Sequence, residues 1–180
     1  LNPDWTANPP KLAWRQKIGA GWSAFSVVNG FAVTMEQRGE FELVTCYELA
    51  SGKLMWSQET KTRHATLMGG VGPRSTPTIH EGKVYTQGAN GHVHCLDGAT
   101  GKVIWSRNIL DEIDSDEETD IQIVSWGRAA SPLIVDHLVV IPAGGPDEDS
   151  AVSLIAYDKQ TGDEVWRGGK WLSSYSSPTI

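Results

Sequence analysis

Residues 95–105 read Cys95-Leu96-Asp97-Gly98-Ala99-Thr100-Gly101-Lys102-Val103-Ile104-Trp105. Two further segments align with them without a gap. They are Cys46-Tyr47-Glu48-Leu49-Ala50-Ser51-Gly52-Lys53-Leu54-Met55-Trp56 and Ala156-Tyr157-Asp158-Lys159-Gln160-Thr161-Gly162-Asp163-Glu164-Val165-Trp166. Each shared position has a physical reason. The acid and the Ser/Thr bracket a tight turn, where their oxygens accept bonds from backbone N–H groups. Gly52, Gly101 and Gly162 supply positive φ at low steric cost. Apolar residues on either side alternate as strands do. The tryptophan is large enough to fill a gap between sheets, and its indole N–H needs a partner. The unit is a β-hairpin ending in a tryptophan, and Trp56, Trp105 and Trp166 are expected to be buried between units, each near the glycine turn of a neighbour.

A second element precedes each hairpin. It reads Ser75-Thr76-Pro77-Thr78-Ile79, then Ser131-Pro132-Leu133-Ile134-Val135, and it starts again at Ser176-Ser177-Pro178-Thr179-Ile180. A looser version, Trp22-Ser23-Ala24-Phe25-Ser26-Val27-Val28, leads into an Asn29-Gly30 turn, a strong hairpin signal. Each repeat therefore holds four short strands. The tryptophans at 56, 105 and 166 stand 49 and 61 residues apart, the longer interval carrying an insertion. Four strands at such a period describe one blade of a β-propeller. The expected class is all-β, with four-stranded antiparallel blades at about 22–60, 73–108 and 129–168. Residues 11–15, with Trp14 in the signature position, read as the outermost strand of a closing blade, and 175–180 as the start of the next. Three blades leave open faces and edges, so the sequence predicts an open arc of a larger ring.

The formal net charge of −7 argues against nucleic acid, which needs clustered Lys and Arg. No apolar run approaches the roughly 20 residues that span a bilayer. No signal peptide opens the chain. Cys46 and Cys95 occupy the same position of successive blades, about one sheet spacing (~10 Å) apart. A disulfide needs Cα atoms within ~7 Å, so both are expected as free, buried thiols.

The tryptophan hairpin resembles that of pyrroloquinoline-quinone-like (PQQ-like) β-propeller repeat proteins. These families include quinoprotein alcohol dehydrogenases and the lipoprotein subunit of the outer-membrane barrel-assembly machine. The segments Met68–Pro77, Trp126-Gly127-Arg128 before Ser131-Pro132, and Ser174–Pro178 are similar to those of exported bacterial repeat proteins of this kind, abundant in planctomycetes. The resemblance implies an exported protein of the periplasm or cell envelope. It also implies one of two roles: a non-catalytic scaffold or protein-interaction module, partnered by another protein or by the remaining blades of its ring, or a dehydrogenase using PQQ and calcium. The dehydrogenase sites combine an Asp base, a calcium held by Glu and Asn, and a stacking Trp. No acid of this sequence matches those positions, and no Cys-Cys pair is present. The non-catalytic role is therefore preferred, with no cofactor assigned, and PQQ with calcium is the alternative.

Loops entering innermost strands lie near a propeller's axis. Arg74, Trp126, Arg128 and Tyr175 precede or open such strands, and are the channel-facing candidates for an anionic or sugar-like ligand. Their bland alternative is inter-blade stacking and backbone hydrogen bonding. The stretch Asp111–Asp120 holds seven carboxylates and no base. Asp114, Asp116 and Asp120 are considered as calcium ligands, but the spacing is not that of an EF-hand, and a solvated inter-blade loop is expected. Residues 146–150 read as an exposed hairpin tip. His92 and His94 share one strand face, but a third metal ligand is lacking, so no metal site is assigned. His64, His80 and His137 read as loop residues. No nucleophile-elbow pattern supports hydrolase chemistry.

Overall fold

The computed structural model describes residues 4–180. Three four-stranded antiparallel sheets follow one another along the chain. The first holds β1 (Ser26–Val28), β2 (Phe31–Arg38), β3 (Phe41–Glu48) and β4 (Leu54–Lys61). A two-stranded hairpin, β5 (Ala65–Thr66) and β6 (Gly70–Val71), separates it from the second. That sheet holds β7 (Thr78–His80), β8 (Lys83–Gln87), β9 (His92–Asp97) and β10 (Val103–Asn108). Two short helices follow, α1 (Ile109–Glu112) and α2 (Glu117–Ile123), and then β11 (Leu133–Val135), β12 (Leu138–Gly144), β13 (Val152–Asp158) and β14 (Glu164–Gly168). The short strands β1, β7 and β11 lie beside one another, as innermost strands round an axis must. The protein is an all-β propeller arc. Among the described residues no helix is long and apolar enough to cross a membrane.

Burial follows the sheet-on-sheet arrangement. The middle strands are covered on both faces: residues 32–37 of β2 and 42–47 of β3 are all buried. One core lies between the first two sheets, where Val33, Met35, Val44, Cys46 and Trp56 meet Val84 and Leu96. A second lies between sheets two and three, where Tyr85, Val93, Cys95 and Trp105 meet Val139, Ile141, Ile155 and Tyr157.

The hairpin turns are alike in bond and angle. Gly52, Gly101 and Gly162 have φ of 73°, 72° and 74°, and each donates its N–H to the carbonyl of the acid four residues earlier at 2.8 Å. Asp97 Oδ1 accepts from Thr100 N and Oγ1 at 2.8 and 2.6 Å. Each following tryptophan sits behind a β-bulge. The ladder pairs Cys46 with Trp56 and Tyr47 with Leu54, leaving Met55 unopposed. Ile104 and Val165 are skipped in the same way. The bulge swings the indole off its own sheet and onto the next. Trp14 Nε1 donates to Leu49 O at 2.8 Å, Trp56 Nε1 to Gly98 O at 3.0 Å and Trp105 Nε1 to Lys159 O at 3.2 Å. Each acceptor is three residues before the glycine whose turn the indole covers. A Cβ on Gly52, Gly101 or Gly162 would lie 2.5, 2.5 or 2.6 Å from the indole ring.

Two expectations need correction. Trp166 was expected to be buried, yet it is 40% exposed, because no described turn lies over it. The acidic stretch is not a solvated loop. Asn108 and Asp116 cap two helices, Asp116 Oδ1 accepting from Thr119 N at 2.7 Å. Acids in the first turn suit the positive helix end, and Ile109, Leu110 and Ile113 fill the second core. Residues 11–15 and 175–180 belong to none of the described strands and carry no ladder bonds.

Cys46 and Cys95 are free and buried, each opposite its own tryptophan in the ladder and each in a different core. Burial raises both thiols, Cys95 to about 11. Alkylation of the unreduced protein after denaturation should label both residues, and native protein should react slowly. A peptide map showing Cys46 joined to Cys95 would refute the arrangement.

Candidate functional site

The loops that enter the innermost strands all open on one side of the arc, and a repeated hydrogen bond fixes them. Ala24 N donates to Thr76 Oγ1 at 3.3 Å, Thr76 N to Ser131 Oγ at 3.0 Å and Ser131 N to Ser177 Oγ at 2.9 Å. Thr78 Oγ1 donates to Pro132 O at 2.6 Å, and Ser26 Oγ does the same to Pro77 O. The Ser/Thr-Pro element explains both sets, since proline keeps its acceptor while having no donor of its own.

These loops surround a cavity of about 350 Å³ lined by Trp22, Met68, Gly69, Arg74, Trp126, Ala129 and Tyr175. Trp126 and Tyr175 face each other with ring centroids 5.6 Å apart, and Trp126 N approaches Tyr175 Oη at 3.4 Å. Trp22 N donates to Pro73 O at 2.7 Å. Met68 comes from the β5–β6 hairpin, which is tied to the Trp126 loop by Thr66 Oγ1 donating to Ser125 O at 2.8 Å. The aromatic surface is open: Trp22 is 72%, Met68 75% and Trp126 50% exposed. Arg74 spends its guanidinium on the hairpin, donating from Nη1 to Gly72 O and from Nη2 to Gly69 O.

Three of the four candidates thus meet in one cavity, and Arg128 does not. It is 2% exposed. Its Nε and Nη2 bind Asp120 Oδ2 and Oδ1 at 3.1 and 2.7 Å, and its Nη1 donates to Ala143 O. A guanidinium so buried and paired is out of reach of a ligand in the cavity; Arg128 locks α2 to β12. Asp120, weighed as a calcium ligand, is the other half of that pair, and Asp116 is occupied as a helix cap. Sequence reading missed Trp22 and Met68. Trp22 was visible as the counterpart of Arg74 and Tyr175 in a looser repeat; Met68 had no such signal.

A calcium-bound quinone requires converging oxygen donors. No carboxylate lines the cavity, and Arg74 is already engaged. Among the described residues no group of three or more His, Cys, Asp or Glu side chains converges on a point. The described residues therefore do not by themselves fit PQQ with calcium. His92 and His94 stack at 6.4 Å; burial lowers both imidazoles, His94 to about 4, and His94 Nε2 bonds Thr60 Oγ1 at 3.0 Å. His64 is in a loop, as expected, but buried, its Nδ1 3.0 Å from Asn90 Oδ1.

Beneath the cavity, Glu42 of β3 crosses the seam between the first two sheets. Its Oε2 accepts from Ala89 N at 3.0 Å, and it packs against Gly88, where no side chain would fit. Burial pushes this carboxyl up to about 7, against the Ala89 bond and the positive charge of Arg74, while Glu117 adds to the rise. An unfolded glutamate releases its proton near 4.5, and the native one holds it longer. The stability from this group is complete below about 4.5 and is lost as pH rises through about 7. Glu42→Gln should flatten that decline in urea titrations across the same window. A variant with the parent's slope would show that the carboxyl is not the source.

Comparison with known proteins agrees with this architecture. A family model described as outer membrane protein assembly factor BamB matches residues 40–178. The quinohemoprotein alcohol dehydrogenase ADH-IIG of Pseudomonas putida is 28% identical over 165 residues, covering 87% of this chain and 21% of that protein. Outer membrane protein assembly factor BamB of Xanthomonas campestris is 33% identical over 99 residues, covering 55% and 22%. The crystal structure of quinohemoprotein alcohol dehydrogenase from Comamonas testosteroni superposes with a TM-score of 0.61 at 22% identity, covering 83% and 21%. The chain spans about a fifth of the length of these relatives.

Proposed function

The chain belongs to the PQQ-type β-propeller repeat family described as outer membrane protein assembly factor BamB, and from that premise we propose that it is a non-catalytic module that receives a protein partner on its loop face. The carrying observation is the open aromatic cavity of Trp22, Met68, Trp126 and Tyr175, whose one cation is already spent on backbone carbonyls. Exposed aromatic clusters of this kind mark interaction sites. The reading assigns the protein to the cell envelope outside the cytoplasm, supported by the likeness to an outer-membrane assembly factor.

A photo-crosslinking residue at position 68 of the intact protein should give discrete protein adducts in cells. One at position 53, at a turn on the opposite side of the blades, should not. Identical patterns at both positions would overturn the reading. A second reading, a PQQ- and calcium-dependent dehydrogenase, is favoured by the likeness to the Pseudomonas enzyme over 87% of the chain. Adding PQQ and calcium to the intact protein separates the two: an unchanged quinone spectrum is expected, and a stable shifted one would favour the enzyme.

A further inference from the structure

The loop face carries a second kind of surface beside the aromatic cavity. Segments 109–127 and 142–155 contain no Lys or Arg. They hold eight exposed carboxylates, five within 111–118 and three within 147–149. The two segments meet: Glu118, Thr119, Gln122 and Ile123 of α2 share a groove with Pro146. Among the described residues the acids of 111–118 and 147–149 form no ion pair except through Glu112, which is not one of the exposed eight. Lys170 is the one base lining the adjoining groove beside Glu148 and Asp149. Helix α2 runs straight into Trp126, and Thr62 Oγ1, 3.1 Å from Glu117 Oε1, holds it against the loop after β4. From the rise of the helix and the reach of three further residues, Glu118 stands no more than about 18 Å from Trp126.

Resting on the interaction reading, we propose that the cavity's occupant is an extended protein segment with an apolar or aromatic anchor and Lys or Arg about five residues away. The anchor suits a cavity made of two indoles, a phenol and a thioether. The basic flank suits a rim whose eight exposed carboxylates, among the described residues, are in no ion pair. An extended chain rises ~3.3 Å per residue, so five residues bridge the two surfaces. Arg74 does not reverse the sign of this field, because one guanidinium, bonded to Gly72 O and Gly69 O, stands against eight exposed carboxylates.

The test uses fluorescent peptides and the intact protein. One peptide has a central Leu-Phe flanked by Lys, one the same centre flanked by Glu, and one Lys flanks with a Ser-Ser centre. The Lys-flanked Leu-Phe peptide should bind tightest, and salt should weaken it. Trp126→Ala should weaken it about thirty-fold, as loss of an aromatic anchor does. Met68→Ser, at a position already in solvent, should weaken it in the same direction. Glu118→Lys with Glu148→Lys should remove the preference for Lys over Glu flanks while leaving binding of the Leu-Phe centre. Equal binding of Lys- and Glu-flanked peptides by the unaltered protein would overturn the basic flank. Equal binding of the Ser-Ser peptide would overturn the anchor. Absence of all peptide binding with adducts at position 68 intact would overturn the extended segment and spare the interaction reading, whereas loss of those adducts would remove both.

Discussion

Arg128→Ala is expected to remove about 3–5 kcal/mol of folding stability, the range for breaking one side of a buried ion pair. Asp120, itself buried, would keep a carboxylate with neither of its guanidinium bonds, and Ala143 O would lose its donor. The cost is that of an abandoned charge, so removing both charges should recover most of it. Asp120→Leu with Arg128→Met should unfold in urea closer to the parent than Arg128→Ala does. Single and double variants that lose the same amount would mean the pair's shape, not its charge, is what β12 requires. The effect should also reach the cavity, since Arg128 N donates to Ala89 O at 2.9 Å and Trp126 is two residues away.

Trp105→Ala should cost about 3–5 kcal/mol, as truncation of a core aromatic does. The indole touches both sides of a seam. It lies 6.2 Å from the rings of Tyr85 and Tyr157, covers the Gly162 turn and donates to Lys159 O. Trp105→Phe keeps much of the apolar contact and loses the N–H donor, leaving Lys159 O to the Tyr85 hydroxyl at 3.1 Å, so it should fall between the two. Gly162→Ala attacks the same contact from the other side, through a positive φ and a Cβ 2.6 Å from the ring. If Trp105→Ala costs less than about 1 kcal/mol, the indole is not what joins the second and third sheets.

How much of this could be read from residues alone depended on how local each cause was. The turn at Asp97–Gly101 is made by bonds between residues three and four apart, so its form is written in one short window. The cavity was legible where a repeat supplied the register: Arg74, Trp126 and Tyr175 were found because each stands just ahead of an innermost strand. Arg128 satisfied the same rule and still went elsewhere. Its fate is set by Asp120, and Asp120 faces inward only because a two-turn helix forms, too short to show a helical period. A run of acids looks solvated until one of them is turned toward a cation. The bulges at Met55, Ile104 and Val165 were equally hidden, because apolar residues there continue the alternation they in fact interrupt.

Each indole is given by one blade and received by the following one, which makes the seams directional. The giving part is a bulged Trp, the receiving part a Gly turn with its carbonyl three residues earlier, and both are chemically the same at every seam described. Any indole should therefore fit any of these turns. A cut just after Trp56 and another just after Trp105 would excise one period and leave Trp56 facing the turn of Gly162, a socket of the shape it already occupies at Gly101. The indole and its turn carry no mark of their order in the ring; contacts such as that of Glu42 with Ala89 differ from seam to seam. The number of blades must then be counted by geometry, through the angle each seam adds until the last edge meets the first, and gain or loss of whole blades in evolution would need no new seam to be invented.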